Sequence, residues 1–295
     1  MKLLVTGPGK LGARLLPKLA QQGVTGRVLQ RGEAPTPPGW EPVRADITEP
    51  GSLAHVATGC DAILHLAALT HSNQTWRYEQ VNAGGTENLL AVARKAGVQR
   101  FIHVSTRAIA SSGGAYSRSK ARAESLVLSS GIPCTILRPA EVYGAGGEGL
   151  AAVIERVRQG QWVPVIGSGH YRLAPVYIDD VLAGLCAAVH APVAGRVFHL
   201  AGPEELTFRE LLDRLAAYFG TDPPRIAVPA GLLHGALRML ALLPLGRPQL
   251  YADQVPRLLS PKPYEIAAAG AELGFSPRRL EAGLEACMGL RDRGV

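Results

Sequence analysis

Apolar residues in the first half of the chain gather in short unbroken runs: Leu3 to Thr6, Val28 to Gln30, Ala62 to Leu66, Phe101 to Ser105 and Thr135 to Leu137. Runs without alternation predict strands buried on both faces. Between several of them the apolar positions recur at helical spacing, over Leu11 to Gln21, Ser52 to Thr58, Tyr78 to Ala96 and Tyr116 to Ser129. Buried strands alternating with helices predict an α/β fold with a doubly wound parallel sheet. Past Pro139 the pattern changes. Gly144, Gly146, Gly147 and Gly149 read as a loop, and helices follow at Leu150 to Gln159 and Phe208 to Phe219. The many later prolines, Pro244 and Pro248 among them, predict a smaller, mainly helical C-terminal substrate lobe. The expected division is 1–165, with a returning strand near 197–200, and 166–295. The most apolar stretch, Val228 to Leu245, is interrupted by Pro229, His234, Arg238 and Pro244. No stretch reaches the roughly 18 uninterrupted apolar residues of a membrane span, so this one predicts an interior or interface helix.

Composition adds bounds. Among 295 residues, 47% are hydrophobic and 19% charged, which excludes a disordered or fibrous chain. The formal charge of +7 suggests affinity for anions, but the basic residues are scattered singly, without the stripe that a nucleic-acid surface needs. Cys60, Cys134, Cys186 and Cys287 are far apart and have no histidine at ligand spacing. That pattern predicts no metal site and a reduced compartment. Gly7-Pro8-Gly9 follows the first apolar residues too closely for a signal peptide, so a cytoplasmic location is expected.

Two motifs carry chemistry. Gly7-Pro8-Gly9-Lys10-Leu11-Gly12 is a GxGxxG turn between a strand and a helix. Its glycines allow a tight turn and close approach of a pyrophosphate, which the helix N-terminus then attracts. The second strand ends Gln30-Arg31, without the carboxylate that binds the adenosine ribose of NAD. Arg31, with Arg14 or Lys10, therefore favours NADP over NAD, NAD being the alternative. Tyr116 and Lys120 stand four residues apart on one helix face. A free phenol has a pKa of about 10, and a neighbouring ammonium favours its ionised form, so Tyr116 can exchange a proton with a hydroxyl or carbonyl. The strand from Phe101 ends in Ser105 and Thr106, whose hydroxyls can orient the reacting oxygen, Thr106 first.

With these residues, the chain resembles an extended short-chain dehydrogenase/reductase of the NAD-dependent epimerase/dehydratase family. The likeness extends through Asp46-Ile47, His65-Leu66-Ala67-Ala68, Val81-Asn82, Gly85-Thr86-Glu87-Asn88-Leu89, Leu137-Arg138-Pro139, Val142-Tyr143-Gly144 and Pro175 to Val181. It implies a Rossmann sheet in which Asp46 and Ile47 contact the adenine. Leu66, Ala67, Ala68 and Pro139 would line the dinucleotide, and Lys120 would hold the nicotinamide ribose while assisting Tyr116. Thr106 takes the family's catalytic Ser/Thr position. Arg172 resembles the arginine that grips the diphosphate in nucleotide-sugar members, and Arg107, next to Thr106, is the other candidate substrate contact. His65, Asn82 and the Asp179-Asp180 pair read first as structural.

The chain also departs from the family pattern. Its glycine loop is one residue short, and only Arg107 to Ala115 separates Thr106 from Tyr116. Arg107-Ala108 stands where sugar 4,6-dehydratases carry Asp-Glu, which disfavours dehydration. The resemblance implies an NAD(P)-dependent oxidoreductase or epimerase acting on a secondary alcohol or ketone, with a nucleotide-sugar as first substrate class. A second reading is a reductase or dehydrogenase of apolar alcohols, of the hydroxysteroid dehydrogenase kind, with Leu232, Leu233, Leu237, Leu240, Leu242 and Leu243 lining its pocket or packing a core. A third is a dinucleotide-binding accessory protein without turnover, suggested by Asp253-Gln254-Val255. The expected partner is a small molecule. Homodimer pairing through the helices at Tyr78 to Ala96 and Tyr116 to Ser129 is also implied.

Overall fold

The structure is a computed structural model, and it describes residues 1–33, 35–144, 149–241 and 250–291. Gly146, Gly147, Leu242, Leu243, Pro244 and Pro248, named above, lie outside the described residues. Seven parallel strands form one sheet in the order β8-β6-β5-β4-β1-β2-β3. They are β1 (Lys2–Thr6), β2 (Thr25–Gln30), β3 (Trp40–Arg44), β4 (Ala62–His65), β5 (Arg100–Val104), β6 (Cys134–Pro139) and β8 (Arg196–Leu200). A separate parallel pair is made by β7 (Val163–Ile166) and β9 (Arg225–Val228).

Neighbouring residues of each central strand serve opposite faces. Leu3 and Val5 enter one apolar cluster with Leu15, Leu19, Val181 and Phe198. Leu4 enters the other with Leu89, Leu90 and Val127. Helices therefore cover both faces. On the first lie α1 (Gly9–Gln21) and α5 (Ile178–His190); on the second lie α2 (Gly85–Lys95) and α3 (Gly114–Leu128). Helices α4 (Leu150–Arg158), α6 (Phe208–Phe219), α7 (Ala230–Leu240), α8 (Gln254–Leu259), α9 (Ala267–Leu273) and α10 (Leu280–Arg291) make the C-terminal region mainly helical. Among the described residues no helix is long and apolar enough to cross a membrane.

Three expectations are corrected. Trp40–Arg44, which is not among the apolar runs, is a strand that pairs with β2 at the sheet edge, where Pro42 and the charges of Glu41 and Arg44 are tolerated. Ser52 to Thr58 is not a regular helix. A 3₁₀ turn at Pro50–Leu53 leads into further turns, and Gly51 and Gly59 favour that outcome. Finally, α7 is not interior, since none of its residues is buried and Leu232 is 73% exposed.

Asp179 and Asp180 brace this arrangement from the first turn of α5. Asp179 pairs with Arg14 of α1 at 2.8 Å. Asp180, nearly buried, accepts the Arg278 backbone N–H at 2.8 Å and thereby ties the C-terminal segment to the sheet. Replacing Asp180 with Ala strands that N–H. The expected loss is about 1–3 kcal/mol of unfolding free energy, read from urea denaturation.

Candidate active site

Strands β1, β4 and β5 lie side by side and run the same way, so the loops after them share one edge. The loop after β1 holds Gly7 at φ +59° and Gly9 at φ +45°, left-handed values that glycine reaches without strain. A Cβ on Gly7 would stand 2.4 Å from Ala67 Cα, so the turn packs directly on the segment after β4. A Cβ on Gly9 would meet nothing within 4 Å, and Gly12 seats α1 against Pro8 and Leu66. The first turn of α1 carries no acidic residue. A helix N-terminus with no competing carboxylate in its first turn fits the pyrophosphate of a dinucleotide even with the shorter loop. Lys10 is exposed, and Leu11, Leu66 and Ala67 are half-buried along the same rim; Ala68 is exposed.

At the adenosine end Arg31 is exposed directly after β2, beside the half-buried Gln30. Arg14, offered above as a phosphate partner, is held by Asp179. Asp46 folds its carboxylate back onto the Thr48 N–H and hydroxyl at 2.9 and 2.8 Å. Ile47 is buried in the core, its carbonyl accepting from Asn88 at 2.8 Å. Of the two residues expected at the adenine, only Asp46 therefore has a partly exposed side chain.

Thr106, Tyr116 and Lys120 are brought together where α3 crosses the end of β5. The Thr106 hydroxyl lies near enough to the Tyr116 phenol to favour its ionised form, and accepts the Ala108 N–H at 3.1 Å. Ser105 points its hydroxyl into the interior, without a hydrogen-bond partner among the described residues. Lys120 is buried and donates to the Val104 carbonyl at 3.0 Å, with its Nζ 3.3 Å from His103 Nε2. Burial lowers its pKa to about 8, against a smaller opposing pull from Glu124. Burial likewise raises the Tyr116 phenol, opposed by the Arg257 guanidinium and the Thr106 hydroxyl. Beneath them His65 bridges Thr6 at 2.7 Å and Thr86 at 3.0 Å. Burial, with Lys120 nearby, lowers His65 to about 3 and holds His103 well below its ordinary value. Asn82 binds Leu69 at both its N–H and its carbonyl, and donates to Ser119 at 3.0 Å, so it fixes the loop after β4 against α3. Pro139 closes β6 and is half-buried.

The arginines expected on the substrate side are engaged with carboxylates. Arg107 is 1% exposed, pairs with Glu141 at 3.2 Å and with Glu205, and donates to the Pro263 carbonyl at 2.9 Å. It joins the C-terminal region to the sheet edge and does not face an open pocket, which corrects its assignment as a substrate contact. Arg138 is clamped by Glu124 at 2.9 Å. Arg172, 60% exposed, stands 3.7 Å from Glu205. Two residues that sequence reasoning did not place at the site reach it from α8. Asp253 accepts the Ala115 and Tyr116 backbone N–H groups, and Arg257 lies over the Tyr116 ring. Nothing in the local pattern around 253–257 signals either contact. A cavity of about 980 Å³ opens beside this corner, lined by Ala115, Arg118, His234, Arg238, Met239 and Pro256 among others.

A doubly wound parallel sheet with a glycine turn after β1 and a Thr-Tyr-Lys set after β5 defines a protein of the short-chain dehydrogenase/reductase class. The chain belongs to the NAD dependent epimerase/dehydratase family, whose profile matches residues 3–201. It is 30% identical to the 2-alkyl-3-oxoalkanoate reductase of Stenotrophomonas maltophilia, over 96% of this chain and 97% of that protein. It is 31% identical to the ceramide reductase of Caulobacter vibrioides, over 76% of this chain and 73% of that one. Among solved structures, the UDP-glucose 4-epimerase of Thermotoga maritima superposes with a TM-score of 0.77 at 22% identity, covering 100% of this chain and 99% of that one. Among the described residues no His, Cys, Asp or Glu cluster is arranged to hold a metal ion.

Replacing Arg107 with Met removes the buried counter-charge of Glu205 and leaves Glu141 with Lys262 alone, and about 3–5 kcal/mol of stability should be lost in urea. Arg172→Ala should change stability by only about 0.5 kcal/mol. The buried histidines set a pH dependence. Their folded-state pKa values are depressed, so the stability they confer is complete above about pH 6.5 and is lost as pH falls toward the folded value, about 3 for His65. Urea unfolding between pH 7 and 5 should show a decline approaching ~1.4 kcal/mol per pH unit for each histidine.

Proposed function

We propose that this chain reduces a ketone to a secondary alcohol with NADPH, on a substrate that joins an apolar chain to an acidic group. The meeting of Thr106 and Tyr116 at the sheet edge, with Lys120 one helical turn along and its ammonium on the Val104 carbonyl, carries the reading. Burial keeps the Tyr116 phenol protonated at neutral pH, which is the state needed to protonate an oxygen that gains negative charge. Thr106 directs the phenol and is suited to bind the same oxygen. Ser105, buried and unpartnered, stands next to it as a second hydroxyl. The residue 7–12 turn, Leu66 to Ala68, Pro139 and Lys120 are the groups suited to hold the dinucleotide, with Asp46 at its adenine end. When bound, the nicotinamide supplies the hydride. Arg31, exposed at the end of β2 where no carboxylate stands, supports a 2′-phosphate and hence NADPH over NADH.

The substrate class rests on the cavity beside α3, where Met239 and Pro256 adjoin Arg118 and Arg238. The names of the two reductases above, which concern an alkylated oxo acid and a ceramide, agree with an apolar chain. A nucleotide-sugar is the second reading. Arg172 favours it, being largely exposed. Arg138 and Arg107, by contrast, are already neutralised by Glu124, Glu141 and Glu205.

Consumption of NADPH with 3-oxo acids of increasing chain length, run beside UDP- and dTDP-linked 4-keto sugars, tests the proposal. Turnover should rise with chain length. Tyr116→Phe should lower it by about 10²–10⁴-fold while leaving the NADPH dissociation constant unchanged. Turnover by Tyr116→Phe equal to that of the parent protein removes the proton-transfer role, and turnover confined to the sugars removes the substrate class.

A further inference from the structure

Helix α8 grips residue 116 twice. Asp253, the residue before its first turn, is buried, and accepts the Ala115 N–H at 2.7 Å and the Tyr116 N–H at 3.3 Å through its two carboxylate oxygens. These are N–H groups of the first turn of α3, which have no acceptor within that helix. Four residues on, and so on the same side of α8, the Arg257 guanidinium carbon stands 4.4 Å from the centroid of the Tyr116 ring. The guanidinium is also tied to the Thr70 carbonyl at 3.3 Å, in the segment that follows β4. Backbone and ring of the same tyrosine are thus held by side chains from one turn of a helix about 140 positions away.

The other charged and titratable groups around the phenol come from different elements. Lys120, on α3, directs its ammonium to the Val104 carbonyl and His103. Tyr78 meets the Tyr116 ring edge-on at 5.9 Å and carries a phenol that burial raises to about 12. Asp253 is the nearby anion, and its carboxylate is occupied by the two N–H groups of α3. Arg257 is therefore the cation positioned on the ring face itself. A neutral phenol attracts it through the ring quadrupole, and a phenolate, whose negative charge spreads into the ring, attracts it more strongly. A contact that strengthens on ionisation favours the ionised form.

We propose that Arg257 is a positioning residue for Tyr116: it sets the acidity of the phenol from the ring face, while Asp253 fixes the register of α3 that keeps ring and guanidinium in contact. The inference deepens the proposed proton transfer and rests on Tyr116 as the proton-bearing group. It assigns to the C-terminal region a share in tuning the reaction, beside any share in holding substrate.

The test needs neither substrate nor cofactor. The chain has eight tyrosines. Protein labelled with ¹³C at tyrosine Cζ is titrated by NMR, and the resonance missing from Tyr116→Phe is assigned to Tyr116. In Arg257→Gln the midpoint of that resonance should move up by about one pH unit, a tenfold change in acid dissociation constant. Arg257→Lys, which keeps the charge, should recover at least half of the shift. Circular dichroism establishes that each variant is folded, and if Arg257→Gln is not, the Lys variant against the parent protein, titrated at low and at 1 M salt, reads the same electrostatic contribution. An unmoved midpoint in folded Arg257→Gln overturns the proposal, as does a salt-insensitive midpoint in the fallback pair. Because the readout is the phenol itself, a failure to find NADPH-dependent turnover would contradict the proposed function without touching this result, and the reverse holds equally.

Discussion

An ammonium cannot be buried without partners, and the site is organised by how that requirement is met for Lys120. Its Nζ donates to the Val104 carbonyl and lies against His103, both on β5. This fixes α3 over the end of that strand, and with α3 fixed, Tyr116 lies beside the hydroxyl of Thr106 at the second position beyond it. The same desolvation that lowers the lysine raises the tyrosine and keeps His65 and His103 neutral. Removing water from one corner thus shifts these four groups together, and the energetic cost is offset by the two clusters of apolar residues on either side of the sheet.

The C-terminal region completes the corner instead of merely covering it. Asp253 satisfies the first turn of α3, Arg257 meets the ring, and Arg107 reaches back to Glu205 and the Pro263 carbonyl. Lys262 adds a further buried cation, 3.4 Å from Glu141. Ion pairs this deep contribute little net stability but impose one arrangement, since a shifted partner leaves a bare charge behind. They connect the order of the C-terminal region to the geometry of the phenol.

The strands of the parallel core were legible because each contains a short unbroken run of apolar residues. Ile63, Phe101 and Ile136 have no exposed face, and a sequence without alternation says as much. The edge strand β3 was not, because Glu41, Pro42 and Arg44 mask it. The glycine turn and the Thr106, Tyr116 and Lys120 set could be read because their chemistry depends on short spacings. What could not be read is pairing over distance. Arg107 finds Glu205 across 98 positions and Asp253 finds Ala115 across 138. A lone arginine next to Thr106 looks like a substrate grip until its carboxylates are located. The leucines of α7 misled for the opposite reason: their density suggested a core, yet none of them is buried, and Leu232 and Leu240 are exposed.

Diffraction from crystals grown with NADP⁺ tests the central claim most directly. The account predicts density for the pyrophosphate at the Gly7 to Gly12 turn, the 2′-phosphate against Arg31, and the nicotinamide ring beside the Tyr116 hydroxyl, with Lys120 at its ribose. A crevice without density at saturating NADP⁺, or a nicotinamide ring turned away from Tyr116, would contradict it.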